Sequence, residues 1–375
     1  MRGIYIHIPF CRQACRYCDF CFSVSLHQMD PFIDALLKEI SRKLEKQTVP
    51  PLETLYFGGG TPSLLSSTQL QRILEAIKTK VSFKEDYEWT IECNPDDLNS
   101  KKVKDYRDMG FNRLSIGIQS FHERDLQLMR RSHTTQQAEL AVLEAHKEGF
   151  DNITIDLIYG IPGQSLNEWK ENIQRVLALP VNHLSAYHLT FEPGTIFDHW
   201  RKKGRLLPVP EEQSLEQYRI LRELLMGEGF EHYELSNFGK KDTISRHNML
   251  YWTGVPYLGF GPSAHSYDGI NRSWNSSSVK AYLDPESTME VLMESEHLSR
   301  KESYHDYLIT SLRTRWGADP EHIEKVFGKE FRLYFEERAQ AFINTGKMAV
   351  KQGKLLIDPE QWLLTDYILR TLFMD

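Results

Sequence analysis

The chain alternates short apolar runs with longer amphipathic stretches. Six runs read as strands: Gly3–Ile8, Thr54–Phe57, Trp89–Cys93, Arg113–Ile118, Ile153–Tyr159 and His183–Leu189. Each is short, and several are rich in the β-branched and aromatic residues that suit a pleated, half-buried surface. Six stretches read as helices: Pro31–Glu45, Ser67–Lys80, Ser100–Met109, Thr135–Glu148, Ser165–Leu179 and Glu211–Glu228. In the first, Phe32, Leu36, Leu37 and Ile40 recur at helical spacing and build one buried stripe. Strand–helix alternation over about 230 residues predicts a parallel sheet with crossover helices. Six units are two short of an eightfold barrel, so the expected fold class is α/β, a partial (β/α)6 TIM-like barrel.

The pattern changes after about Asn237. Residues 238–300 read as polar and loop-rich, interrupted by an aromatic patch from Tyr251 to Tyr267. Helical patterning returns as Tyr304–Arg313, Pro320–Phe327 and Phe331–Thr345. A hairpin of Met348–Val350 and Leu355–Ile357 then precedes a terminal segment, Leu364–Phe373. Helices followed by a small β-wing predict a winged-helix-like module. The expected organisation is a barrel core over 1–237, an aromatic-motif segment over 238–300 and the C-terminal module over 301–375.

Composition excludes several function classes. With 41% hydrophobic and 26% charged residues in 375, the chain is an ordinary globular protein, long enough to bury a large core. A net charge of −7 and the lack of a concentrated basic helix argue against nucleic-acid binding, so the C-terminal module reads as packing or docking. No run of eighteen apolar residues offers a membrane anchor. The apolar start, Gly3 to Phe10, is too short for a secretory signal and contains His7. The expected location is the cytoplasm.

Five cysteines occur, and four of them crowd together as Cys11, Cys15, Cys18 and Cys21. Disulfide frameworks spread their cysteines, so this crowd points to a metal or cluster site in a reducing compartment. A structural zinc site, a redox pair and an iron–sulfur cluster compete as readings. Zinc knuckles usually come as two separated C-x2-C pairs, whereas here one compact loop carries all four crowded thiols, the arrangement that suits a cuboidal cluster. Cys93, ending an apolar strand, reads as an inert buried cysteine. Functional residues of parallel α/β folds gather at the carboxyl ends of the strands. The cysteine loop follows the first predicted strand, Gly58-Gly59-Gly60-Thr61-Pro62 the second, Glu92 ends the third, Gln119 follows the fourth, and Asp156 lies near the end of the fifth.

Cys11-Arg12-Gln13-Ala14-Cys15-Arg16-Tyr17-Cys18 resembles the C-x3-C-x-φ-C motif of the radical S-adenosylmethionine (SAM) superfamily, with Tyr17 as the aromatic φ. The resemblance implies that Cys11, Cys15 and Cys18 hold a [4Fe-4S] cluster whose fourth iron binds SAM. Further runs are similar to one branch of that superfamily: Ile4 to Cys11, Glu92-Cys93-Asn94-Pro95, Ser115 to Phe121, and Ile155 to Gly163. That branch contains the oxygen-independent coproporphyrinogen III oxidases and the heme chaperones. It implies SAM contacts at Tyr5, Tyr17, Gly59, Gly60, Thr61, Glu92, Gln119, Arg131 and Asp156.

Two features favour the chaperones within the branch. Phe20 stands where the oxidase pattern has its fourth cysteine, leaving Cys21 as a spare thiol or an alternative fourth ligand. Arg246-His247-Asn248-Met249-Leu250-Tyr251-Trp252 resembles the chaperones' H-N-x-x-Y-W motif, implying heme contacts at His247, Tyr251 and Trp252. Only ten residues precede Cys11, where the oxidases carry a long extension, which points the same way. The implied partners are heme, recipient proteins such as respiratory cytochromes, and an electron donor. Oxidase activity, and heme modification by a related methyltransferase or heme-degrading enzyme, are the rival expectations.

Overall fold

The structure is a computed structural model that describes residues 1–45, 49–284 and 292–374. The six predicted strands form as β1 (Gly3–Ile8), β2 (Leu52–Gly59), β3 (Phe83–Cys93), β4 (Arg113–Gln119), β5 (Ile153–Tyr159) and β6 (His183–His188). All neighbours from β1 to β6 pair in parallel, in chain order. The crossovers are Met29–Glu45, Ser67–Lys78, Ser100–Met109, Thr135–Lys147 and Leu166–Ala178, and Glu211–Gly227 follows β6. Three of these helices start in reciprocal capping boxes, Ser66 with Gln69, Thr134 with Gln137 and Ser165 with Glu168, which satisfy otherwise orphaned backbone donors. The fold is α/β, a partial barrel of six β/α units.

The sheet extends beyond those units. β7 (Glu231–Glu234) and β8 (Asn237–Gly239) add antiparallel strands beside β6. On the other edge, β9 (Tyr257–Phe260) pairs in parallel with β1. Antiparallel β10 (His265–Tyr267), β11 (Asn271–Asn275) and β12 (Met293–His297) continue outward from β9. Residues 238–300 are therefore less loop-like than their polarity predicts. These strands have three to five residues, and β12 is exposed throughout, so no alternation of polar and apolar positions marks them. Two further elements lack a sequence signal. β3 starts at Phe83, upstream of its predicted first residue Trp89, through the exposed Lys84, Glu85 and Asp86. A seven-residue helix, Glu123–Met129, precedes the fourth crossover.

The C-terminal elements follow the predicted order. Helices Arg300–Leu312, Pro320–Phe327 and Lys329–Asn344 lead into a hairpin of β13 (Met348–Lys351) and β14 (Lys354–Ile357), then helix Thr365–Leu372. They share one hydrophobic core with the barrel. Trp362 packs edge-on against His232 at 4.4 Å between ring centroids, and the Arg315 amide donates to the Tyr233 carbonyl at 3.0 Å.

Candidate functional site

Every β1 residue but Tyr5 is buried, and the chain then leaves the sheet as the cysteine loop. Phe10 anchors the start of that loop, buried edge-on against Phe32 at 5.4 Å. The loop is pinned to the turn after helix Glu123–Met129. The Arg16 amide donates to the Met129 carbonyl at 3.1 Å, and Gln13 Nε2 to the Arg130 carbonyl at 3.0 Å. Arg12 forms an ion pair with the buried Asp97 on the opposite side. Tyr17 packs on a small apolar cluster of Leu126, Met129, Ile158, Ile161, Leu189 and Phe197. The aromatic residue of the motif is thus an anchor that fixes the positions of the thiols on either side of it.

A cavity of about 440 Å³ opens above the carboxyl ends of β1–β6. Its wall brings together Cys11, Cys15 and Cys18 with Tyr17, Gly59, Gly60, Thr61, Glu92, Gln119, Arg131 and Asp156. Tyr5 is the one predicted SAM contact that the structure does not bring to this wall. It lies one layer below, its hydroxyl 3.1 Å from His7 Nδ1 and its ring stacked on Tyr56 at 6.0 Å. Cys21 also lies apart, its thiol donating to the Ser277 carbonyl at 3.0 Å. Phe20 stands at the cavity wall and is 67% exposed.

Four carboxylates line the cavity, Asp19, Glu92, Asp156 and Glu192, and two of them, Glu92 and Asp156, stand on barrel strands. Glu92 accepts from the Tyr56 hydroxyl at 2.7 Å and from the Gly59 amide at 3.1 Å. Asp156 accepts from the Ser115 hydroxyl at 3.2 Å. Burial raises Glu92 to about 7, opposed by the Tyr56 bond and reinforced by the neighbouring Asp156 charge. Burial likewise raises Asp156 to about 6, against the bonds from Ser185 and Ser115. Buried carboxylates short of a cation are costly, so both are primed to receive a positive group. Burial also raises Cys11 and takes Cys18 to about 11; Thr61 donates to Cys11 Sγ at 3.4 Å, which favours the thiolate.

Backbone shape completes the wall. A Cβ on Gly60 would lie 2.8 Å from the Phe10 carbonyl oxygen and 3.0 Å from Cys11 Sγ, so only glycine fits beneath that thiol. Register shifts between Gly117 and Gln119 where β4 meets β5, and Gln119 takes φ 69°. Such irregularities re-aim side chains at strand ends. Arg131 donates to the Gly117 carbonyl at 2.8 Å, also bonds the Asn94 side chain, and lies 3.6 Å from Cys15 Sγ. Its Nε is buried without a partner among the described residues. Asn94, Ser115 and Tyr187 on this wall were not singled out by sequence reasoning. Asn94 and Ser115 sit inside the two conspicuous runs Glu92-Cys93-Asn94-Pro95 and Ser115 to Phe121, the signal that could have found them.

The donor set fits a cluster with a zwitterionic ligand. Among the described residues, no three or more His, Cys, Asp or Glu side chains converge on one metal ion. The three thiols instead share one wall with Arg131, whose orphaned Nε can take a carboxylate, and with Glu92 and Asp156, which can take cationic or hydroxyl groups.

The aromatic motif forms helix Arg246–Trp252 below the amino end of the barrel strands, where it packs against β2. His247 is buried, and both its ring nitrogens are engaged, Nδ1 with Thr54 Oγ1 at 2.7 Å and Nε2 with the Tyr251 hydroxyl at 2.8 Å. Its ring stacks on Tyr56 at 5.0 Å, and burial lowers its pKa to about 3. Iron ligation by His247 would require breaking one of these bonds, at whichever nitrogen met the iron. Tyr251 and Trp252 face a separate cavity.

Comparison with known proteins gives this geometry a family. The family model described as the Radical SAM superfamily matches residues 5–176. The heme chaperone HemW of Bacillus subtilis is 35% identical over 367 residues, covering 95% of this chain and 97% of the relative. HemW of Lactococcus lactis is 36% identical over 342 residues, covering 91% and 89%. Among solved structures, coproporphyrinogen III oxidase (HemN) from Escherichia coli, a radical SAM enzyme, superposes with a TM-score of 0.85 at 26% identity, covering 99% of this chain and 90% of that one. Similarity to HemW at this level covers about nine-tenths or more of both chains, and the chain belongs to the heme chaperone HemW family of the radical SAM superfamily.

Proposed function

We propose that this protein is a heme chaperone that holds a [4Fe-4S] cluster, SAM and heme, and passes heme to recipient proteins such as respiratory cytochromes. The observation that carries this reading is the near-full-length similarity to HemW relatives. In the cavity at the strand ends, Cys11, Cys15 and Cys18 bind the cluster. When bound, that cluster supplies an iron with an open coordination position and one-electron reducing power. Around it, Arg131 orients the SAM carboxylate, Glu92 and Asp156 take its cationic and hydroxyl groups, and the glycines at 59 and 60 let the backbone approach. Tyr17, Thr61 and Gln119 shape the same wall, and Tyr5 supports it from beneath through Tyr56. Heme is received beside Tyr251 and Trp252, and iron ligation by His247 needs the imidazole to give up one of its two hydrogen bonds. Among the described residues no helix is long and apolar enough to cross a membrane, and the proposed place of work is the cytoplasm.

Anaerobic heme titration followed by transfer to an apo-cytochrome tests the reading. Stoichiometric binding and appearance of holo-cytochrome are expected; no transfer, with heme retained or never bound, defeats it.

One observation favours a second reading. The structural likeness to HemN covers nearly the whole chain, which suits coproporphyrinogen III decarboxylation. Phe20 at the position of the oxidases' fourth cysteine weighs against it. Mass analysis of tetrapyrroles after anaerobic turnover separates the two, since a chaperone returns heme unchanged and forms no vinyl product.

A further inference from the structure

The largest cavity described, about 780 Å³, is not the thiol cavity. It lies between helix Arg246–Trp252, strands β9–β11 and the C-terminal helices Arg300–Leu312 and Pro320–Phe327. Its volume is that of a cofactor-sized site. Tyr251, Trp252, Tyr257 and Trp316 give it aromatic walls. Three large apolar side chains on its lining are left substantially in solvent, Ile270 at 56%, Val326 at 50% and Trp316 at 38% exposed. An apolar surface of this kind normally marks a ligand or partner site.

The polar groups on the wall add a specific chemistry. Arg272, Arg300 and Lys354 line the cavity. Arg272 is paired with Asp306, the one carboxylate on the wall, and with Glu296, and Arg300 is paired with Glu330, whereas Lys354 has no carboxylate partner among the described residues. Lys354 therefore offers a free positive charge to an anionic ligand. His322 also lines it. Its ring is exposed and leans on Tyr307 at 4.7 Å, and neither ring nitrogen is hydrogen-bonded to a described residue. It is the only histidine on this wall among the described residues. His247, by contrast, has spent both nitrogens, and one of them holds the Tyr251 hydroxyl.

We propose that heme binds in this second cavity with His322 as its iron ligand and Lys354 facing its carboxylates, while His247 is a positioning residue that fixes Tyr251 in the wall. The proposal rests on the heme-chaperone reading and assigns the place where that heme sits. A flat apolar macrocycle bearing two carboxylates and a metal that takes imidazole matches the three kinds of surface that meet here. The site lies away from the thiol cavity and shares no lining residue with it.

The test is heme titration of the full chain followed by absorption and magnetic circular dichroism. His322→Ala should lower heme affinity about tenfold or more and abolish the histidine-ligand signature. The side chain is exposed, so this variant should keep the wild-type far-ultraviolet dichroism. Lys354→Glu should weaken binding several-fold and leave the ligand signature in place. His247→Ala should weaken binding while retaining the signature, as a residue acting through Tyr251 would. An unchanged signature in His322→Ala, or its loss in His247→Ala with His322 intact, overturns the assignment and leaves the chaperone reading standing. Wild-type protein that binds no heme overturns both.

Discussion

The two cavities of this protein are built on opposite plans. The thiol cavity sits on the ends of parallel strands, and its cysteine loop is pinned to the turn after helix Glu123–Met129. The second cavity is assembled from a short helix, three- to five-residue strands and helices from the far end of the chain. The first has its polar groups hydrogen-bonded at the floor; the second has aromatic walls and three exposed apolar side chains. A site that must hold a redox group in fixed geometry gains from a rigid scaffold. A site that loads and unloads a large flat ligand gains from an open wall with few bonds to break. The contrast therefore separates a holding site from a transfer site.

The contrast can be broken most sharply at the thiols. Cys15→Ala should abolish cluster assembly, and iron and sulfide analysis after anaerobic reconstitution checks it; full cluster content would remove Cys15 from the ligand set. Heme binding at the second cavity should survive that change, because the two walls share no residue. Next comes Gly60→Ala, which forces a methyl against the Phe10 carbonyl and Cys11 Sγ. It should cost about 1–3 kcal/mol of stability and lower cluster occupancy, read by denaturant unfolding and iron content.

Smaller effects follow at the floor of the cavity. Asp156→Asn should weaken SAM binding about tenfold, measured by calorimetry on reconstituted protein. Glu92 and Asp156 also set a pH dependence in the cofactor-free protein. Burial raises them to about 7 and about 6, so the folded state holds protons that the unfolded chain has already released. Their contribution to stability is complete below the ordinary carboxylate range and is lost as pH rises through about 6 to 7. The melting temperature should fall over that interval, and a Glu92→Gln, Asp156→Asn double variant should flatten the slope. Least of all, Cys21→Ser should retain the cluster, since the hydroxyl can still donate to the Ser277 carbonyl.

The same division governed what could be read before folding. Each strand from β1 to β6 is a run of buried apolar residues between helical stretches, so local pattern sufficed. The polar residues that interrupt or end those runs, Glu92, Gln119 and Asp156, stood out because an apolar strand has no structural use for them. Tyr5 lies off that wall because period-two alternation fixes the side of the sheet it faces but not its depth. β9 to β12 went unseen because pairing onto the β1 edge, β9 directly and β10 to β12 each on the strand before it, makes them strands rather than their own composition. His322 carried no signal at all. It is one exposed histidine near a helix start, and only the packing of the C-terminal helices against the Arg246–Trp252 segment gives it a cavity to face.

The pairing of β1 with β9 has a consequence for how the chain matures. Gly3 pairs in register with Tyr257, the first residue of a strand made long after β1. Ribosomes add about 5–20 residues per second, so roughly 10–40 seconds separate the synthesis of β2 from that of β9. Throughout that interval β1 has a partner on one side only, and its other edge is a row of unsatisfied amides and carbonyls. The strand that launches the cysteine loop is thus among the last to be closed, and a nascent chain halted before Tyr257 would carry the thiols on an open sheet edge.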